Sequence, residues 1–148
     1  MGRIEKSIEI KASPENVWEM LALDRWPEWM DGWKNAEYTS EVHTSEDKYR
    51  VGASAHITEH AAGFRIKYDF EITESLENEK VTFRSESKGY TLATYILEPL
   101  EDGTRLTYAI DYEMPLGTLG KFLDKLGGKS GEKKVEKELE RLKSILEK

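Results

Sequence analysis

Apolar and polar positions alternate from the start of the chain. Ile4, Ile8, Ile10 and Ala12 share one face, and Glu5, Ser7, Glu9 and Lys11 share the other, which is the period of a half-buried strand. The pattern predicts a strand ending at Ala12. Ser13 then stands as a helix cap and Pro14 at the first helical position, where its missing N–H costs nothing, while Val17, Trp18 and Leu21 form the apolar stripe of a short helix. A second short helix is predicted over Asp24 to Met30, broken by Gly32. From Lys34 to Tyr112 strand signals repeat between turns. Ala36, Tyr38 and Val42 begin the series, Ala53 and Ala55 lie on the third strand, and Phe64, Ile66, Tyr68, Phe70 and Ile72 alternate with charged or polar neighbours. Turns at Glu77-Asn78-Glu79, Lys88-Gly89 and Asp102-Gly103 lead into Val81 and Phe83, then Ala93, Tyr95 and Leu97, then Leu106, Tyr108, Ile110 and Tyr112. Long strands with one wet face imply an antiparallel sheet of about seven strands.

Beyond Met114-Pro115-Leu116-Gly117 the period becomes helical. One stripe is Leu119, Phe122, Leu123 and Leu126, and another is Val135, Leu139, Leu142, Ile145 and Leu146. Glu138 with Arg141, and Glu140 with Lys143, read as support for the exposed face. Between the stripes stand Gly127, Gly128 and Gly131, each costing a helix interior about 1 kcal/mol relative to alanine. They predict a kink or break there, with the first half free to act as a lid. No internal repeat or linker is evident, so residues 1–148 read as a single domain.

Composition narrows the chemistry. The 148 residues contain no cysteine, which removes disulfides, thiolate metal sites and thiol nucleophiles. The 22 basic and 29 acidic residues give a net charge of −7, which disfavours nucleic acid and anionic membranes as partners. The basic run Lys129 to Lys137 is interleaved with Glu132 and Glu136 and reads as a solvated helix face. No apolar stretch approaches the length of a membrane span and the opening residues alternate in polarity, so a cytoplasmic protein without leader or integral membrane segment is expected. Charged residues at 34% of the chain lean toward a thermostable, heat-adapted protein.

Four stretches in order carry a family resemblance: I-E-I-K-A-S-P-E-N-V-W from Ile8, R-W-P-E-W from Arg25, V-G-A from Val51, and L-E-P-L-E-D-G-T-R-L-T-Y from Leu97. With the order of strand, two short helices, six strands and terminal helix, the chain resembles the START-like superfamily, also called SRPBCC. That superfamily includes the birch-pollen allergens, lipid-transfer START domains and polyketide cyclase/dehydrase-like proteins, and the last look most similar. The resemblance implies an α+β helix-grip fold, in which a curved antiparallel sheet wraps a long C-terminal helix around a cavity. The cavity mouth would be formed by Glu59 to Gly63, Ser87 to Tyr90 and Met114 to Leu119.

The residues point to a cavity independently. Aromatics on the apolar strand faces include four tyrosines, Tyr68, Tyr95, Tyr108 and Tyr112, and each buried hydroxyl needs a partner that a wet or ligand-filled pocket can supply. Ala53 and Ala55 are small where a packed core prefers bulk. Simple core filling is the plainer alternative. The expected ligand-binding set is Ala55, Ile57, Glu59, Phe64, Tyr68, Phe70, Phe83, Tyr95, Tyr108 and Tyr112 from the sheet, with Leu119, Phe122, Leu123 and Leu126 from the helix.

His56-Ile57-Thr58-Glu59-His60 matches a zinc-peptidase pattern that requires a helix. In a strand the two imidazoles stand roughly 13 Å apart, too far for one metal. Ile57 and Thr58 favour the strand, although residues 53–62 can also be drawn as a helix. His43 lies in a polar turn. Gly127-Gly128-Lys129-Ser130-Gly131 lacks the first glycine of a phosphate loop and follows no strand, so no nucleotide, metal or other cofactor is expected. Trp26, Trp29 and Trp33 read first as core and second as a ligand cage. Glu59, with Asp111 or Glu113 at the end of the seventh strand, are the candidate acids or bases beside the cavity, and no catalytic residue is assigned. The leading expectation is a module binding a lipid, polyketide-like or aromatic compound. A cyclase or dehydratase of the same fold and a protein-interaction or assembly factor are the rivals, and the oligomeric state is left open.

Overall fold

The computed structural model describes residues 2–61, 63–87, 89–113 and 129–148, with backbone only at Ala61, Phe64, Lys129 and Ser130. Strand β1 spans Gly2–Ile10 and leads into helix α1, Pro14–Met20. A single 3-10 turn, Leu23–Arg25, runs into the one-turn helix α2, Trp26–Trp29. Then come β2 Trp33–Tyr38, β3 Ser54–Ala61, β4 Phe64–Leu76, β5 Lys80–Ser85, β6 Tyr90–Leu100 and β7 Gly103–Glu113. Helix α3, Lys129–Leu146, closes the described chain. The strands form one antiparallel sheet in the order β1-β7-β6-β5-β4-β3-β2, a meander with the first strand returned to its far edge. Among the described residues no helix is long and apolar enough to cross a membrane.

The local chemistry is that read from the sequence. The Ser13 hydroxyl accepts from the Asn16 N–H, and Pro14 opens α1. Asn78 takes a left-handed conformation, φ 63°, in the turn from β4 to β5. Two details differ. β1 ends at Ile10 because the Lys11 N–H donates to the Glu147 carboxylate and the Ala12 carbonyl accepts from the Thr104 hydroxyl, which turns the chain toward Ser13. Val42 lies outside any strand, since residues 41–49 are drawn into a 3-10 turn, Ser45–Tyr49, closed by a reciprocal Thr44–Asp47 cap.

Helix α3 packs on β1 and against α1 and α2, burying Val135, Leu139 and Leu142. The expected stripe at Leu119, Phe122, Leu123 and Leu126, and Gly127 and Gly128, lie outside the described residues, whereas Gly131 sits inside α3. The exposed-face reading of Glu138 is corrected: Glu138 is only 3% exposed. Its supposed partner Arg141 reaches Asp31 instead, at 2.8 Å, and Lys143 pairs with Glu147 rather than Glu140.

Candidate functional site

Period-two strands and one helix face converge on a cavity of about 170 Å³ between sheet and α3. Tyr108, Ile110 and Tyr112 line it from alternate positions of β7, Tyr68 and Phe70 from β4, and Ala93 from β6. Helix α3 presents Gly131, Lys134, Val135 and Glu138, spaced to share one face. Trp26 and Trp33 close the wall beside α2. Across the β1–β7 pair Gly2 stands opposite Tyr112, whose ring occupies the space that a Cβ at Gly2 would need.

The polar groups gather where α3 faces β3. Lys134 Nζ donates to Glu59 Oε2 at 2.7 Å. Glu138 Oε2 accepts the Asp31 N–H at 3.1 Å, and its other oxygen has no hydrogen bond among the described residues. Two contacts hold the loop carrying Asp31. Its carboxylate pairs with Arg141, and the Gly32 carbonyl accepts the His60 N–H at 2.7 Å. Gly32 itself has φ +83°, and a Cβ there would lie 2.5 Å from the His60 carbonyl oxygen.

Burial pushes the Glu138 carboxyl up to about 7, against the partial relief of Lys134 and the Asp31 N–H and with the further push of Glu59 and Asp31. Burial pulls the Lys134 ammonium down, yet Glu59 and Glu138 outweigh it and leave it above the ordinary lysine value. Burial also raises the Tyr68 and Tyr108 hydroxyls well beyond the usual tyrosine range, with Glu59 adding at Tyr68 and Glu138 at Tyr108. A buried acid poised near neutrality beside a cation and two tyrosines can exchange a proton with a bound molecule or orient its polar end.

Of the residues expected to bind ligand, Glu59, Tyr68, Phe70, Tyr108 and Tyr112 stand on the cavity wall. Ala55, Ile57, Phe83 and Tyr95 are buried but do not line it. Their placement has a physical cause for the two aromatics. Trp26 packs edge-on against Phe83 at 4.9 Å between centroids, and Trp29 against Tyr95 at 6.2 Å, so α2 fills the groove above them. The room expected over Ala55 is occupied as well, by Leu23, Tyr38 and Phe70 around it. Only the backbone of Phe64 is described, and Leu119, Phe122, Leu123 and Leu126 lie outside the described residues.

Trp26 and Trp29 are core, their indole N–H groups bonded to the Leu21 and Met20 carbonyls, while Trp33 is half-buried and shares the cavity wall with Trp26. Asp111 points away from the cavity and binds Arg3 at 2.7 Å, and Glu113 is exposed. The motif from His56 to His60 lies in β3, where His56 pairs with Asp69, so the helical geometry of a zinc peptidase is lost. His43 is exposed beside Glu41. Sequence reading missed Lys134 and Glu138. Their signal was available: Glu138 falls three residues after Val135 and four before Leu142, inside the apolar stripe.

A family model described as "Polyketide cyclase / dehydrase and lipid transport" matches residues 1–147. No curated protein sequence matches. Among solved structures, a protein from Thermus thermophilus is similar with TM-score 0.77 and 19% identity, over 98% of this chain and 97% of that one. A START superfamily protein from Mycobacterium smegmatis gives 0.76 and 18%, over 98% and 97%. The Aha1 dimer from Colwellia psychrerythraea gives 0.65 and 24%, over 99% and 97%. At these identities the likeness establishes the shared helix-grip fold.

Proposed function

Because the chain belongs to the polyketide cyclase / dehydrase and lipid transport family, we propose that residues 1–148 form one domain that binds a hydrophobic small molecule, a lipid, polyketide-like or aromatic compound, between the sheet and α3. The observation that carries this reading is the apolar cavity ending on Glu59, Lys134 and Glu138. A packed core has no use for three ionisable groups at a void, since each loses hydration there. At 170 Å³ the space suits one ring or a short chain, for a cavity of roughly 150 Å³ holds benzene. Burial of about 200 Å² of apolar ligand surface contributes about 5 kcal/mol before association costs, so apolar probes alone bind weakly.

Native mass spectrometry of protein purified gently from its own host tests this, with a co-purifying small molecule as the expected result. Repeated absence of any adduct, with no thermal shift across a panel of lipids and small aromatics, contradicts it.

A second reading, favoured by Glu138 alone, is an enzyme that moves a proton on a polyketide-like substrate, with Glu138 as general acid or base. Glu138-dependent exchange of deuterium into the carbon next to a ketone of such a compound, lost in Glu138→Gln, is the expected sign. Exchange equal to the buffer rate in both proteins contradicts it.

A further inference from the structure

The polar end of the cavity carries two carboxylates, Glu59 and Glu138, against one ammonium, Lys134. Lys134 is the only cationic side chain on the cavity wall among the described residues, and Glu59 already holds it at 2.7 Å. Glu138 is almost wholly buried and lines the cavity, with one oxygen bonded to the Asp31 N–H and the other without a hydrogen bond among the described residues. A carboxylate oxygen in such a place accepts hydrogen bonds, and an occupant of the cavity that carries an O–H or N–H can donate one to it. Two carboxylates against one ammonium leave a negative balance when both acids are ionised, in surroundings that screen poorly.

We propose that the cavity selects by charge, taking an uncharged ring-sized compound that donates a hydroxyl or N–H hydrogen bond to Glu138 and turning away carboxylates such as fatty acids. This rests on the ligand-binding reading above and adds to it the class of ligand. Selectivity follows the protonation of Glu138. The groups facing it are Asp31 from the loop before β2, Glu59 on β3, Tyr95 on β6, Tyr108 on β7 and Lys134 on its own helix. The tyrosine hydroxyls stay neutral and Lys134 stays charged through the neutral range, so Glu138 is the group whose titration changes the balance. Once protonated it becomes a donor, the local charge falls to zero, and an acid is tolerated.

Three probes of one shape separate the possibilities: para-ethylphenol, ethylbenzene and para-ethylbenzoate, followed by amide chemical shifts of the intact protein. At about pH 8 the phenol is neutral and the benzoate charged, and the phenol is expected to bind at least about tenfold tighter than the benzoate and severalfold tighter than ethylbenzene. Benzoate affinity is expected to rise by about tenfold on lowering the pH to about 5.5, where the probe itself is still ionised. Glu138→Gln, which keeps shape and an acceptor, should remove that pH dependence. Glu59→Gln, which frees Lys134, should admit the benzoate at the higher pH.

Equal binding of phenol and benzoate to the wild type at the higher pH, or an unchanged ratio in both variants, overturns charge selection while leaving the cavity as a binding site. Failure of all three probes at either pH, ethylbenzene included, overturns the binding reading and this inference with it.

Discussion

The interior between sheet and helices has two halves, and they are built differently. Under α2, Trp26 and Trp29 pack against Phe70, Phe83, Tyr95 and Tyr108 with centroid separations from 4.9 to 6.5 Å; Trp26, Phe70 and Tyr108 also border the cavity, whereas Trp29, Phe83 and Tyr95 do not. Over the first three turns of α3 the helix presents Gly131, Lys134 and Glu138, and there the cavity opens. Both halves face the same strands. What separates them is what the helices contribute: two indoles fill a groove, whereas a glycine and two charged side chains cannot fill it and must keep polar company.

The largest expected effect comes from unplugging the dry half. Trp29→Ala, at a side chain that is fully buried and does not border the cavity, is expected to destabilise by about 4 kcal/mol in urea unfolding, the range for a large aromatic removed from a tight core. Trp33→Ala, at a wall that already borders space, should cost about half as much and admit larger ligands. Equal losses would erase the contrast between the halves.

Glu138 makes the next test, and its sign follows from its environment. Its folded pKa of about 7 lies above the ordinary value of 4.5, so between those limits the folded state holds more protons than the unfolded, and stability drains away as pH rises through the window. The loss attributable to Glu138 is expected to reach about 3 kcal/mol above neutrality. Glu138→Gln should match the wild type near pH 4.5 and exceed it by that amount at higher pH. A constant difference across the range would place the carboxyl in water rather than at a buried wall.

Gly32→Ala forces a side chain into a left-handed backbone and against the His60 carbonyl, and should cost about 2 kcal/mol while loosening the Asp31 contact to Glu138. The smallest effect is on the dry side. Tyr95 stacks on Tyr108 at 4.4 Å, and its buried hydroxyl stands beside that of Tyr108 without the geometry of a good hydrogen bond. Tyr95→Phe is therefore expected to be neutral or stabilising by up to about 1 kcal/mol. A clear destabilisation would mean that the hydroxyl has a partner in the folded protein.

The sheet was legible because its signals are local. Ile4 to Ile10 and Phe64 to Ile72 alternate cleanly, Ser13-Pro14 starts a helix, and Asn78 makes a turn whatever surrounds them. The site was half legible. Tyr68, Phe70, Tyr108 and Tyr112 sit on apolar strand faces, so their direction follows from parity. Lys134 and Glu138 were hidden because a helix rich in lysine and glutamate offers surface pairings at every turn, and Glu138 has Arg141 at such a spacing. Only the arrival of Asp31, distant in sequence, and the tilt of α3 across β1 decide which charges turn inward. The same limit applies to Tyr95, whose parity is right but whose cover comes from Trp29.

The most direct test is a carbon-detected NMR titration of the Glu138 side-chain carboxyl, free and saturated with para-ethylphenol. A midpoint near 7 in the free protein, falling when the phenol donates to the ionised form, is the expected result. A midpoint at the ordinary carboxylate value, unmoved by the probe, would contradict a ligand site built around Glu138.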